Sequence, residues 1–233
     1  MKAWVYVEGS SDVSALKALW KAWRERLRAA GHGIEIIDLV DKARFFQKLG
    51  ARAAEKLVAS PCDLVVGLPD LYPNEPYAGT PYRHADLAEL QAVQRKLVEE
   101  GVRIWPRVTP TAVAGLLSRF HATALKHDLE MLLLAAQAEL RAVLRTPDKL
   151  GGWRLPVEEQ NQGRPPKRVI EELFLSKSSE RRRYRDTRDA PKVLGGVNDI
   201  RRLLFTDAGQ ANCPTFQAML DWLGERFRVP AYS

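Results

Sequence analysis

The sequence predicts an α/β fold with a mainly parallel sheet flanked by helices, and three observations predict it. Ala3–Val7, Ile34–Leu39 and Leu64–Leu68 are short apolar, β-branched or aromatic runs with strand character. Two long amphipathic stretches alternate with them, which is the pattern of βαβ units. The first and third runs end in acids, Glu8 and Asp70, at the strand ends where open α/β sheets bind ligands.

The elements follow in order. After the first strand, Val13, Leu16, Trp20, Trp23 and Leu27 recur at three- and four-residue steps and predict one helix ending near Gly31. Phe45, Leu49, Ala53 and Leu57 mark a second helix, closed by Ser60-Pro61. Asn74 to Arg83, rich in Pro, Gly and Tyr, reads as an exposed loop. A helix is expected from about Ala85 to Glu100, then an edge strand over Val102 to Val108 interrupted by Pro106. Thr111 to Ser118 suits a short helix, and Phe120 to Leu125 alternates as a strand, with a continuous helix as the alternative. Leu129, Leu132, Leu133, Ala136, Leu140 and Val143 form the face of a further helix. Pro147 to Pro166 loses periodicity, and three helices are expected around Lys167 to Leu175, Pro191 to Leu204 and Pro214 to Phe227. The chain is therefore divided into a core over 1–150 and a helical C-terminal extension over 151–233 that packs on it.

Composition bounds the function. Of 233 residues, 45% are hydrophobic and 28% charged, ordinary for a globular protein. A formal net charge of +7 favours a polyanionic partner such as nucleic acid. The two cysteines, Cys62 and Cys213, have no Cys or His at zinc-ligand spacing. With no signal peptide and no apolar run of membrane-spanning length, the expected location is the cytoplasm. No Walker-type glycine-rich loop is present, so ATP hydrolysis by this chain is not expected.

In a parallel sheet Glu8 and Asp70 fall on one edge, and carboxylates there suit a hard divalent cation, Mg²⁺ or Mn²⁺. Asp12, one helical turn past Glu8, can join from the same side. Glu130 and Asp128 open a later helix as further candidates. Asp12 and Asp128 fit first-turn helix acids equally well. Lys167 and Arg168 open a helix after two prolines, a place where a phosphate or plain solvent can meet them. Arg181, Arg182, Arg183, Tyr184 and Arg185 form a dense basic run whose arginines can track a nucleic-acid backbone and whose tyrosine can stack a base. His127 suits either a proton-transfer role or a buried hydrogen-bonded one.

Val7-Glu8-Gly9-Ser10-Ser11-Asp12 resembles the first motif of Toprim domains, in the variant with a second acid that is similar to OLD-type nucleases. Leu68-Pro69-Asp70-Leu71-Tyr72-Pro73 resembles the second Toprim motif, in the acid-x-Tyr form of a Toprim-like family of bacterial proteins. His127-Asp128-Leu129-Glu130-Met131-Leu132-Leu133, Pro165-Pro166-Lys167-Arg168-Val169-Ile170 and Cys213-Pro214-Thr215-Phe216 with Trp222 resemble later blocks of that family. The resemblance implies a Toprim-like (Rossmann-like) sheet and Mg²⁺- or Mn²⁺-assisted phosphodiester chemistry on DNA or RNA. It makes Glu8 and Asp70 the metal-site acids, with Glu8 as acid/base, Asp12 and Glu130 as companions and Lys167 as a further catalytic candidate. It also implies an ABC-type ATPase as partner and a role in anti-phage defence. Self-association is left open. Tyr72 stands where a classical Toprim site has a second aspartate. The alternative is accordingly a catalytically inactive subunit that binds nucleic acid or the ATPase.

Overall fold

The computed structural model describes residues 1–106, 108–160 and 162–232. Four strands, β1 (Lys2–Val7), β2 (Gly33–Asp38), β3 (Leu64–Gly67) and β4 (Phe120–Ala122), form one sheet in the order β2-β1-β3-β4. Every pairing is parallel, with Ala3 opposite both Ile34 and Leu64. The α/β fold with a parallel sheet flanked by helices is therefore present as expected.

The chain divides into two compact units, Met1–Val13 with Arg26–Leu125, and Ser14–Glu25 with the chain from Lys126 onward. This division differs from a cut at 150, because residues 126–150 group with the later helices. The first unit holds the sheet. Strand β1 is buried on both faces, with Tyr6 and Val5 at 1% and 0% exposure. Such two-sided burial explains why β1 and β3 read as continuous apolar runs rather than alternating ones.

Helix α3 (Lys42–Ala59) connects β2 to β3, and its Phe45, Phe46, Leu49, Ala53 and Leu57 join Tyr6 and Val65 in one core. Asp41 starts α3, its carboxylate accepting the Arg44 N–H at 2.8 Å. Helix α4 (Leu87–Arg103) packs along α3, and the two backbones touch at Gly50 and Gly101. A Cβ at Gly101 would collide with the Gly50 carbonyl, and one at Gly50 with the Leu97 carbonyl. Between β3 and α4, Tyr77, Tyr82 and His84 fold back onto the Phe46 ring, with Tyr82 stacked on it at 5.0 Å.

The strand expected over 102–108 is a correction. Helix α4 runs through Arg103, because Val102 continues the buried face of Leu90 and Val98. The chain then turns at Ile104-Trp105 before α5 (Pro110–Leu117), and Arg107 lies outside the described residues. The single helix expected from Val13 to Leu27 is two, α1 (Ser10–Leu19) and α2 (Lys21–Ala29), separated only at Trp20.

In the second unit, α6 (Glu130–Ala135) and α7 (Gln137–Leu144) replace one expected helix, because Ala136 leaves helical geometry at φ −83°, ψ 52°. Helices α8 (Pro166–Ser176) and α11 (Pro214–Phe227) fall where the sequence puts them. The helix expected over 191–204 is instead α9 (Asp186–Gly195) and the short α10 (Arg201–Leu204), with Pro191 inside α9. Trp20 stacks on Phe216 and Trp23 meets Phe227 edge-on. Both indoles are fully buried. Each buried aromatic of this kind contributes roughly 2–3 kcal/mol. Glu158 is also buried, accepting the Thr215 N–H at 3.0 Å and the Phe216 N–H at 3.1 Å, which caps the first turn of α11. Among the described residues no helix is long and apolar enough to cross a membrane.

Candidate active site at the strand ends

The strand order creates the site. From β1 the chain steps to β2 on one side, then returns past β1 to β3 on the other. Strands β1 and β3 are hydrogen-bonded neighbours whose connections leave in opposite directions. The crevice beyond their C-terminal ends is the topological switch point of the sheet, where open α/β folds receive ligands. Glu8 follows β1 directly, and Asp70 lies three residues beyond β3.

Both residues are placed by backbone geometry. The Leu68 N–H donates to the Tyr6 carbonyl at 2.8 Å, carrying the ladder past the end of β3. Asp70 is then held beside Leu125 as an isolated parallel bridge, with the Leu71 N–H on the Leu125 carbonyl at 2.8 Å. Glu8 Oε1 accepts the Asp70 N–H at 3.0 Å. The two acids expected at one sheet edge are thus joined by a hydrogen bond across the switch point. Asp12 lies in the first turn of α1, and its Oδ2 accepts the Gly9 N–H at 3.0 Å. That bond is the return half of a capping box, so one Asp12 oxygen serves the helix start.

The local field is unusual. Burial pushes the Glu8 carboxyl up to about 7, and Asp12 and Asp41 add to the rise. The Lys42 charge and the Asp70 N–H oppose it. Lys42, the first residue of α3, is buried, and its ammonium donates to the carbonyls of Leu71 at 2.9 Å and Pro73 at 2.8 Å. Burial lowers its proton affinity, while Glu8, Asp70 and Glu75 raise it. The Tyr77 phenol is raised by burial and then by Glu8 and Asp41, which puts it in the same field. Sequence reasoning missed Lys42 and Tyr77. A lysine after a helix-capping Asp looks solvated, and Tyr77 lies in a loop read as exposed.

Glu8, Asp12 and Asp70 are oxygen donors of the chemical kind that hard cations take. Among the described residues no three His, Cys, Asp or Glu side chains make a metal cage on their own. Mg²⁺ and Mn²⁺ are commonly held by only one or two carboxylates, with water and substrate phosphate completing the shell.

The other expected residues belong to the second unit, where several of them come together. Burial, followed by the Glu130 charge, pushes the Asp128 carboxyl up to about 7, while Lys167 opposes the rise. Asp128 Oδ2 accepts the Lys167 N–H at 3.2 Å at the start of α8. Lys167 Nζ also lies 3.8 Å from Asp186. Glu130 is buried, and the Tyr184 phenol is held far above its ordinary range by burial and then by Glu130. The Tyr184 ring packs against Phe174 at 5.2 Å, so it is engaged within the fold rather than displayed for a base.

The basic run divides in a similar way. Arg182 makes a two-pronged bond to the fully buried Asp189, at 2.6 and 2.8 Å, and lies over the Phe174 ring. Arg168 pairs with Glu172 at 3.3 Å on the surface of α8. Arg181, Arg183 and Arg185 are exposed. Arg183 and Tyr184, with Glu171 and Leu175, line a cavity of about 270 Å³. His127 is buried and its proton affinity is lowered, by burial first and then by Lys126.

No family model and no curated protein matches the chain. Two solved structures of the C-terminal region of the Xanthomonas campestris pv. campestris OLD protein are similar in chain path. The first shares 14% identity at a TM-score of 0.42, covering 97% of this chain and 94% of that one. The second shares 15% identity at a TM-score of 0.37, covering 84% and 85%. At such scores the likeness decides neither family nor chemistry.

Proposed function

We propose that the chain is a Toprim-type nuclease that uses Mg²⁺ or Mn²⁺ to cleave phosphodiester bonds in DNA or RNA. The observation that carries this reading is the pairing of Glu8 with Asp70 across the switch point of the sheet. A bound divalent cation supplies charge neutralisation at the phosphate and lowers the proton affinity of water. The resemblance gives Glu8 the acid/base role; burial raises its carboxyl to about 7 in the metal-free chain, and a bound cation would lower that proton affinity. Asp70 is oriented by its backbone bond to Glu8, and Asp12 caps the start of α1 through one carboxylate oxygen. Glu130 as a further ligand and Lys167 as a phosphate-facing cation remain part of the proposal, on the strength of the motif resemblance. The net charge of +7 and the exposed Arg181, Arg183 and Arg185 support a nucleic-acid substrate. The ABC-type ATPase partner, anti-phage defence and cytoplasmic location rest on the resemblance and composition.

A second reading is favoured by Tyr72. Its side chain packs against the core of the first unit at the position where a second aspartate would serve the metal. Under that reading the chain binds nucleic acid or the ATPase without cutting. Incubating labelled DNA and RNA with Mg²⁺ or Mn²⁺, with and without the ATPase, separates the two. The nuclease reading expects strand shortening by the wild type and its loss in Glu8→Ala and Asp70→Ala. Intact strands under every condition would refute it.

A further inference from the structure

Lys42 is 6% exposed although it opens a helix, where a lysine stem ordinarily reaches water. An ammonium tolerates burial only when hydrogen-bonded and charge-compensated. Both conditions are met by the chain that leaves β3. Its Nζ donates to the Leu71 and Pro73 carbonyls, which bracket the turn just after Asp70. The Leu71 carbonyl also meets His84 Nε2 at 3.2 Å, and the Asn74 amide bonds the carbonyl of His84 at 3.2 Å. Against the effect of burial, Glu8, Asp70 and Glu75 each raise the proton affinity of this ammonium.

We infer that Lys42 is a positioning residue for the strand-end site: its buried ammonium clamps the 71–73 backbone, fixes Asp70 against Glu8 and serves as counter-charge to both carboxylates. Its functional meaning rests on the metal-site reading above, whereas the clamp is a property of the chain alone. Bridge hydrogen bonds to Leu125 hold the chain on either side of Asp70, and the Lys42 bonds fix the Leu71 and Pro73 carbonyls that follow it. Lys42 ties that segment to the start of α3, whose N-terminus is fixed by the Asp41 cap. The site then rests on two regular elements rather than on a loop.

The test compares the full-length wild type with Lys42→Met and Lys42→Arg by hydrogen–deuterium exchange at the Asp70 and Leu71 amides. Mn²⁺ affinity by calorimetry is measured alongside. Losing two bonds from a charged donor is expected to speed exchange at both amides by at least about tenfold and to weaken Mn²⁺ binding similarly. Lys42→Arg is expected to recover most of each effect. If Lys42→Met does not fold, Lys42→Gln, which keeps one donor for a carbonyl, is read the same way. Unchanged exchange at both amides overturns the inference. Faster exchange with unchanged Mn²⁺ affinity also overturns it, since Lys42 would then be merely structural. A wild type that takes up no Mn²⁺ is a different failure: it removes the metal-site reading, and with it the role of Lys42 there.

Discussion

Glu8→Gln is predicted to make the metal-free protein more stable, with an advantage that grows with pH. Burial lifts the Glu8 carboxyl from its ordinary 4.5 to about 7 in the folded chain. At about 1.36 kcal/mol per pKa unit, keeping this side chain ionised in the folded state costs on the order of 3 kcal/mol. Between those two pKa values the folded state binds more protons than the unfolded state, so stability falls as pH rises through that window. The cost is absent well below pH 4.5 and complete above pH 7. Glutamine avoids it while its side-chain oxygen still accepts the Asp70 N–H. For a chain of this size the gain at pH 8 corresponds to roughly 6–12 °C in unfolding temperature. Asp128 is raised as well, but it is present in both proteins and cancels in the difference. Scanning both proteins in EDTA at pH 4, 6 and 8 makes the comparison. A difference that does not change with pH, or a variant less stable than wild type at pH 8, would refute the reasoning. A difference independent of pH would mean that Glu8 is well solvated, and a less stable variant that its charge is needed to compensate the buried Lys42 ammonium.

Three further predictions concern packing and ion pairing within each unit. Gly101→Ala is expected to lose about 1–3 kcal/mol by forcing α4 off α3, because its Cβ meets the Gly50 carbonyl. Gly115→Ala in α5, where nothing lies near the added methyl, should instead gain about 0.4–1 kcal/mol, and urea unfolding measures both. Asp189→Ala should cost about 1–3 kcal/mol by removing its bonds to Arg182, Arg188 and the Arg185 N–H, while Arg182 keeps its pairing with Glu180. Against the opposing effect of burial, Arg182, the Arg185 N–H and Arg188 hold the Asp189 carboxyl below its ordinary range. Its contribution is therefore present at neutral pH and fades in acid, so the gap between variant and wild type should narrow there.

The elements legible in the sequence are those whose burial follows a simple period. Strand β1 and helix α11 are examples, since one is apolar on both faces and the other carries a regular buried stripe. Val102 to Val108 misled because Val102, Ile104 and Trp105 have strand-like side chains, while tertiary packing spends Val102 on the α4 face. The break at Ala136 has no sequence signal, since alanine favours the helix that it interrupts. The placement of Glu8 and Asp70 at one sheet edge was legible because both acids follow apolar runs that pair in parallel. Lys42 and Glu158 were not, because a charged residue shows nothing of its burial until its partners are known. For Lys42 those partners are carbonyls 29 and 31 residues away. For Glu158 they are amides 57 and 58 residues away. The basic run misled in detail. Composition presents Arg182 and Tyr184 as surface groups, yet Asp189 and Phe174 engage them.

The central claim is that Glu8 and Asp70 hold a divalent cation at the switch point of the sheet. Anomalous diffraction from crystals soaked in Mn²⁺ tests it most directly. The expected result is a Mn²⁺ peak within roughly 2.0–2.3 Å of oxygens from both carboxylates. Crystals that bind Mn²⁺ only elsewhere, or show no peak at these two residues when the ion is in excess, would contradict the claim.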